Sequence, residues 1–229
     1  MNDASERVAS LPYSSCYHLP VKVRVPHNLC PKRIKQRPFD VSLSAYYLIM
    51  GINWQPLHLG DERVFLEPLR ADHFNELFAV ASDPEIWVQH PNPDRYREDV
   101  FQIFFEGAKA SAGAFIIRAM DNGRALGSTR FYEYDEAANE VKVGYTFFSR
   151  ACWGKGWNPA VKRLMLRYAF AHVSRVVFHV GTQNIRSQRA MEQIGARQVG
   201  ELAVAYHGEP VRQNVVYEIL ADDFHSHTP

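Results

Sequence analysis

Cysteine, net charge and long apolar runs are all scarce in this chain, and each scarcity removes a class of function. Three cysteines in 229 residues, Cys16, Cys30 and Cys152, form neither a paired framework nor a zinc-like spacing. They suit a reducing, cytoplasmic setting, where a thiol needs no partner. A formal net charge of +1 leaves no bulk field to draw the chain to nucleic acid or to an anionic membrane. No run of 18 apolar residues is present, so no membrane-spanning helix is expected. His90, His172, His179 and His207 do not fall at metal-ligand spacing, and no metal is expected. Neither a P-loop nor a Gly-x-Gly-x-x-Gly dinucleotide turn occurs.

What is present divides in two. Residues 1–49 hold seven Lys and Arg against three Asp and Glu, with Pro12, Pro20, Pro26, Pro31 and Pro38 and no helical periodicity, whereas residues 50–229 hold 19 against 22. The first part reads as a basic, Pro-rich, disordered extension, with Met50 as an alternative start; a targeting or docking tail is the rival reading. With 46% hydrophobic and 13% aromatic residues, the chain can bury one domain core, assigned to residues 50–229.

The most informative stretch of that domain is a strand, a glycine loop and a helix. Val141 to Phe148 is rich in β-branched and aromatic residues and reads as a strand. Arg150-Ala-Cys-Trp-Gly-Lys-Gly-Trp-Asn-Pro follows, and residues 161, 164, 165, 168 and 172 then mark the buried face of a helix. Asn158 is the expected N-cap and Pro159 the first helical residue. Open N–H groups and the positive end of the helix dipole behind Gly154-Lys155-Gly156 suit a phosphate, although such a turn also serves as plain chain reversal. Farther on, Val176 to Thr182 reads as a strand, and residues 184–196 as a short helix closed by Gly195. Asn184 and Ser187 read equally as an N-cap with its first-turn partner and as ligand contacts.

Trp153-Gly-Lys-Gly-Trp157 and Asn184-x-x-Ser187 with Glu192-x-x-Gly195 together resemble the motifs of the GNAT superfamily of acyl-CoA-dependent N-acetyltransferases. Within it, the chain is similar to the ribosomal-protein N-terminal alanine and serine acetyltransferases, and the likeness spans residues 60–220. The resemblance implies direct transfer of acetyl from acetyl-CoA to a primary amine, on a protein N-terminus or a small molecule, in a ternary complex without an enzyme nucleophile. It implies that Phe147, Phe148 and Ser149 meet pantetheine, and that Arg150, Cys152, Trp153, Gly154, Lys155, Gly156 and Trp157 surround the pyrophosphate. Asn184 would bond pantetheine and Ser187 would protonate the leaving thiolate; Arg186 and Arg189 read either as contacts to the 3′-phosphate or as solvated helix residues. A homodimer, whose second subunit would build part of the acceptor cleft, stays open, since no interface stripe in the sequence decides it. Two departures stand out. Arg150 lies four residues before Gly154 where three is commoner, and Met191, which has no proton to give, occupies the position of a frequent tyrosine.

An amine of pKa about 10 must lose a proton before attack. Glu133 and Glu140, on the strand ends beside the turn that also holds Asp135 and Glu136, are the expected bases, with Glu218 a third choice; a solvated hairpin tip is the plain alternative. The remaining elements are a strand over 63–70, a helix from Asp72 to Val80, and a short turn capped by Asp83. A longer helix opens at Asn92 or Asp94 with Tyr96, Val100, Phe101, Phe104 and Ala108 along one face. Asn122-Gly123 then joins strands at 114–120 and 124–132, and strands at 197–202 and 213–220 close the sheet. The fold expected is α+β: a GNAT-like mixed, mostly antiparallel sheet flanked by helices. Trp153 and Trp157 are expected to wedge the glycine loop against that sheet.

Overall fold

The computed structural model describes residues 51–205 and 210–226, so the readings of the 1–49 extension and of Met50 lie outside the described residues. Seven strands form one sheet: β1 (Val64–Pro68), β2 (Ala114–Ala119), β3 (Ala125–Asp135), β4 (Glu140–Phe148), β5 (Arg175–Gly181), β6 (Arg197–Val204) and β7 (Arg212–Leu220). Their order is β1-β2-β3-β4-β5-β7-β6, and every pair is antiparallel except β4 with β5. Five helices accompany them among the described residues: α1 (Phe74–Ala81), α2 (Glu98–Ala110), α3 (Trp157–Ala169), α4 (Ile185–Gln193) and α5 (Ala221–Ser226). None is long and apolar enough to cross a membrane.

Local chemistry places most of these elements where the sequence puts them. Gly123 takes the left-handed conformation (φ 68°), and Asn122 Oδ1 accepts the Arg124 N–H at 3.0 Å, closing the β2–β3 hairpin. Gly195 likewise takes φ 76° just beyond α4. Two helix starts differ from expectation. Asp72 caps nothing; it pairs with Arg70 at 3.1 Å while Ala71–His73 makes a 3-10 turn, and α1 begins at Phe74. Asn92 caps only the 3-10 turn Pro93–Tyr96, because Arg97 returns to an extended conformation and α2 restarts at Glu98. Tyr96 is therefore exposed, and the buried stripe of α2 is Phe101, Phe104, Phe105 and Ala108. Each of the three rings, at most 5% exposed, contributes about 2 kcal/mol of apolar burial.

The sheet carries a hydrophobic cluster on each face. One joins α3 and α4 to Val141, Val143 and Phe148; the other joins α1 and α2 to Phe147 and Tyr145. Strand side chains alternate with period two, yet Val141 and Val143 face one cluster while Tyr145 and Phe147 face the other. The cause is a bulge. Between the pairs Ser128–Phe147 and Arg130–Gly144, β4 spends one more residue than β3, and Tyr145 adopts φ 52°. The parallel pairing stops two residues before Gly144, ahead of the bulge. β4 and β5 are in register only from Glu140–Arg175 to Lys142–Val177, after which each continues without the other.

Candidate active site

The wedge between the diverging halves of β4 and β5 is a cavity of about 510 Å³. β4 contributes Gly144 to Phe148 and β5 contributes Phe178 to Gly181. The glycine loop and the first turns of α3 and α4 form the wall on one face of the sheet. Trp87, His90 and Arg95, from the segment between α1 and α2, form the wall on the other. The lining thus spans both faces at the point where sheet pairing stops.

Gly154 and Gly156 both have positive φ, 69° and 75°, a conformation that costs a residue with a Cβ about 1–2 kcal/mol. Arg63 Nη2 donates to the Lys155 carbonyl at 2.8 Å and ties this loop to the start of β1. Left-handed Gly156 caps α3, so the helix begins at Trp157 and Asn158 is its second residue rather than its N-cap. The first helical bond runs from the Ala160 N–H to the Gly156 carbonyl. The N–H groups of Trp157 and Asn158 precede it at the cavity mouth, as the geometry of any helix start dictates. Asn158 Oδ1 is enclosed without a hydrogen-bond partner.

Several expected site residues meet at this cavity: Phe147, Phe148, Cys152, Trp153, Gly154, Gly156, Trp157, Asn184 and Ser187 all line it. Asn184 Oδ1 accepts the Ser187 N–H at 3.1 Å, so its capping role is realised in a residue that also faces the cavity. Burial pushes the Cys152 thiol up, which keeps it protonated and disfavours a thiolate nucleophile. The two tryptophans behave differently from one another. Trp157 packs on the core with the Arg63 guanidinium 4.6 Å above its ring. Trp153 is exposed and does not wedge the loop; the Arg186 guanidinium lies 3.9 Å from its ring.

Other expected residues lie elsewhere. Arg150 forms an ion pair with Asp83 and is not part of the lining. Lys155 and Arg189 are exposed and also outside it, and Ser149 is occupied through its N–H, which donates to the Leu126 carbonyl at 2.7 Å. Arg186 reaches back across the cavity mouth, its Nη2 donating to the Ile86 carbonyl at 2.8 Å. The carboxylates are drawn off by cations. Glu133, kinked at φ 46°, pairs with Lys142 at 2.7 Å, and Glu140 pairs with Arg175 at 3.0 Å. Glu218 is held by Arg197 and by Arg175 at 2.8 Å, and these two charges keep its carboxyl below the usual range. The structure brings none of the three to the cavity.

Their place is taken by residues that the sequence pattern did not single out. Lys162 on α3 is 2% exposed, lines the cavity, and donates from Nζ to Thr146 Oγ1 at 2.7 Å. Burial without a countercharge lowers its pKa to about 7. Its signal was faint but present: Lys162 completes a stripe with Met165, Leu166 and Ala169 at helical spacing, all buried. On the opposite wall, Arg95 is buried with its guanidinium carbon 4.6 Å from the Phe104 ring centroid. Its Nη1 lies 3.0 Å from His90 Nε2, and His90 is held well below its ordinary pKa by burial first and by the Arg95 charge second.

Comparison with known proteins agrees with this geometry. The acetyltransferase (GNAT) domain model matches residues 63–197. A structure assigned to the acetyltransferases from T. thermophilus is 26% identical, covering 75% of this chain and 93% of its own, with a TM-score of 0.61. A GNAT-family structure from Chromobacterium violaceum is 25% identical over 73% of this chain and 88% of its own, with a TM-score of 0.64. Mycobacterium smegmatis RimJ, solved in complex with CoA-disulfide, shares the fold at 18% identity and a TM-score of 0.56, over 70% and 83% of the two chains. The domain match covers more than half of the sequence and contains the glycine loop, the bulged β4 and the Asn184 helix, and the chain belongs to the GNAT acetyltransferases.

Proposed function

We propose that this protein transfers an acetyl group from acetyl-CoA directly to a primary amine within a ternary complex, with a protein N-terminus or a small amine as acceptor. The observation that carries the reading is the cavity itself. It opens beside a helix N-terminus behind two left-handed glycines, as a pyrophosphate requires, and continues between β4 and β5, where backbone groups border it. An elongated ligand with an anionic end and amide groups fits such a site, and the RimJ structure with CoA-disulfide supports CoA as that ligand. In this reading Phe147 and Phe148 flank pantetheine, Asn184 and Ser187 stand near the sulfur, and the amine and thioester meet beside the β4 bulge. Direct attack needs orientation and charge stabilisation rather than an enzyme nucleophile, consistent with the protonated Cys152.

Titration calorimetry of acetyl-CoA into the full chain tests the cofactor, with CoA lacking the 3′-phosphate for comparison. Saturable binding that Gly154→Glu abolishes supports the site, since the variant adds strain at φ 69° and a like charge beside the phosphates. Unchanged affinity in that variant refutes the loop assignment. A non-catalytic acyl-CoA-binding module is the second reading. It is favoured by Met191, which is buried in the lining where a proton donor is common. Release of free thiol on mixing with acetyl-CoA and amines separates the two.

A further inference from the structure

Acyl transfer to an amine leaves a proton to be moved, and the cavity contains an unexpected residue for moving it. Among the described residues the lining has no carboxylate and a single lysine, Lys162. Its Nζ donates to Thr146 Oγ1 at 2.7 Å, Thr146 and Thr129 share a hydrogen bond of 2.8 Å, and the Thr129 hydroxyl lies 3.3 Å from Met165 Sδ. Thr146 has two acceptors for its own proton, Thr129 Oγ1 and the Gly144 carbonyl at 3.4 Å, and its oxygen accepts from the lysine. A neutral lysine amine makes this bond with one N–H and keeps a lone pair for the cavity. Thr146 follows Tyr145, the bulge residue of β4, and lies in the part of β4 that no longer pairs with β5, so the hydrogen bond holds Nζ on the β4 side of the wedge.

We infer that Lys162 is the proton acceptor of the transfer: the acceptor nitrogen loses its proton to Nζ as it attacks the thioester. The inference rests on the acetyltransferase reading above. In the step, the nitrogen lone pair forms a bond to the carbonyl carbon and the C–S bond breaks with its electron pair on sulfur. The proton shed by nitrogen passes to Nζ, and the ammonium so formed returns it to the thiolate, leaving an amide and a free thiol. A base that returns its proton to sulfur needs no separate acid, which accounts for Met191 at the position of the common tyrosine. The lowered pKa, about 7, leaves an appreciable fraction of Lys162 neutral near neutral pH.

The other titratable or charged groups of the cavity are Tyr132 on β3, Tyr145 on β4, His179 on β5, Cys152 in the glycine loop, and His90, Arg95 and Arg186. His90 is engaged at both nitrogens, by the Asn92 N–H at 3.1 Å and by Arg95 at 3.0 Å. Cys152 is held in its thiol form. His179 is the competitor, since burial lowers its pKa too, but its Nδ1 is enclosed by protein.

The test is the pH dependence of kcat/KM for the full chain, using acetyl-CoA with a Ser-initiated peptide, an Ala-initiated peptide and spermidine as acceptors. The wild type should show a rising limb with its midpoint near the Lys162 pKa of about 7. Lys162→Met and Lys162→Arg should lose that limb and about 100-fold or more in kcat, with acetyl-CoA affinity retained; His179→Gln should keep the limb. Turnover in Lys162→Met with the wild-type profile and rate overturns the inference alone. Transfer of the limb's loss to His179→Gln, or acetylation of Lys162 itself seen as added mass on its tryptic peptide, also overturns it. No turnover of any acceptor by the wild type removes the acetyltransferase reading, and the inference with it.

Discussion

Replacing Lys162 by methionine should make the protein more stable at neutral pH, and by an amount that depends on pH in a specific way. The side chain is 2% exposed, has Thr146 as its hydrogen-bond partner, and titrates near 7 in the folded state against 10.5 for a free lysine. Above the unfolded pKa both states hold a neutral amine, and burial carries no protonation penalty. Between 10.5 and about 7 the unfolded chain binds a proton that the folded chain refuses, so stability falls by about 1.4 kcal/mol per pH unit as the pH drops. Below about 7 both states are protonated and the loss stops. The penalty is then about 4 kcal/mol at pH 7 and about 2 kcal/mol at pH 9. Methionine has similar length and no charge to desolvate, but it removes the donor to Thr146, which costs about 1 kcal/mol. The variant should therefore exceed the wild type by about 3 kcal/mol at pH 7 and about 1 kcal/mol at pH 9. For a domain of this size the difference at pH 7 corresponds to about 6–12 °C in Tm. Urea unfolding of both proteins at the two pH values measures it. A gap that stays constant with pH, or a variant weaker than the wild type at pH 7, refutes the assignment of a buried lysine with a lowered pKa.

Three further outcomes follow from the same geometry. Gly127→Ala would place a Cβ 1.9 Å from the Phe147 carbonyl oxygen, so strands β3 and β4 must separate; loss of soluble protein or a large drop in Tm is expected, and a normal melt would contradict the packing. Arg150→Ala should leave acetyl-CoA affinity within about twofold and cost at most about 1 kcal/mol, because its side chain is spent on Asp83 in a largely exposed pair; a tenfold loss by calorimetry would restore a phosphate role. Ser187→Ala should retain binding, since Asn184 caps through the Ser187 backbone N–H, while lowering turnover only if the hydroxyl assists the thiolate; equal kcat assigns the return of the proton to Lys162 alone.

Local signals carried much of the fold. Asn122-Gly123, the Asn184 cap and Gly195 each act through neighbours two or three residues away, and each is found where the residues put it. The strand, loop and helix around Gly154 were legible for the same reason, except that Gly156 rather than Asn158 caps the helix, whereas the place of Phe147 and Phe148 at the cavity followed from the family resemblance. Long-range chemistry was not legible. Glu133 and Glu140 looked available until Lys142 and Arg175 were brought beside them by pairing across strands. Arg150 lies 67 residues from Asp83, a partner that no local pattern names. Lys162 falls on the buried stripe of α3 by spacing, but lysine almost never buries, and the packing of α3 on β4 decides for burial. Asp72 and Asn92 show the opposite failure: Asp72 sits inside a 3-10 turn that it does not cap, and Asn92 caps only a 3-10 turn because the chain turns extended at Arg97.

The bulge in β4 has an implication for how this site tolerates change. An extra residue in a strand is a shift of phase: before it, odd-numbered side chains look to α3, and after it they look to α1 and α2. Substitution can alter what stands at any one position, but it leaves the count of residues, and hence the phase, untouched. A single deletion between Gly144 and Phe147 would restore simple alternation and turn each side chain beyond it to the opposite layer. The layout of the cavity wall is thus written in the length of the strand rather than in its letters, and the chain can drift far in sequence while keeping that layout.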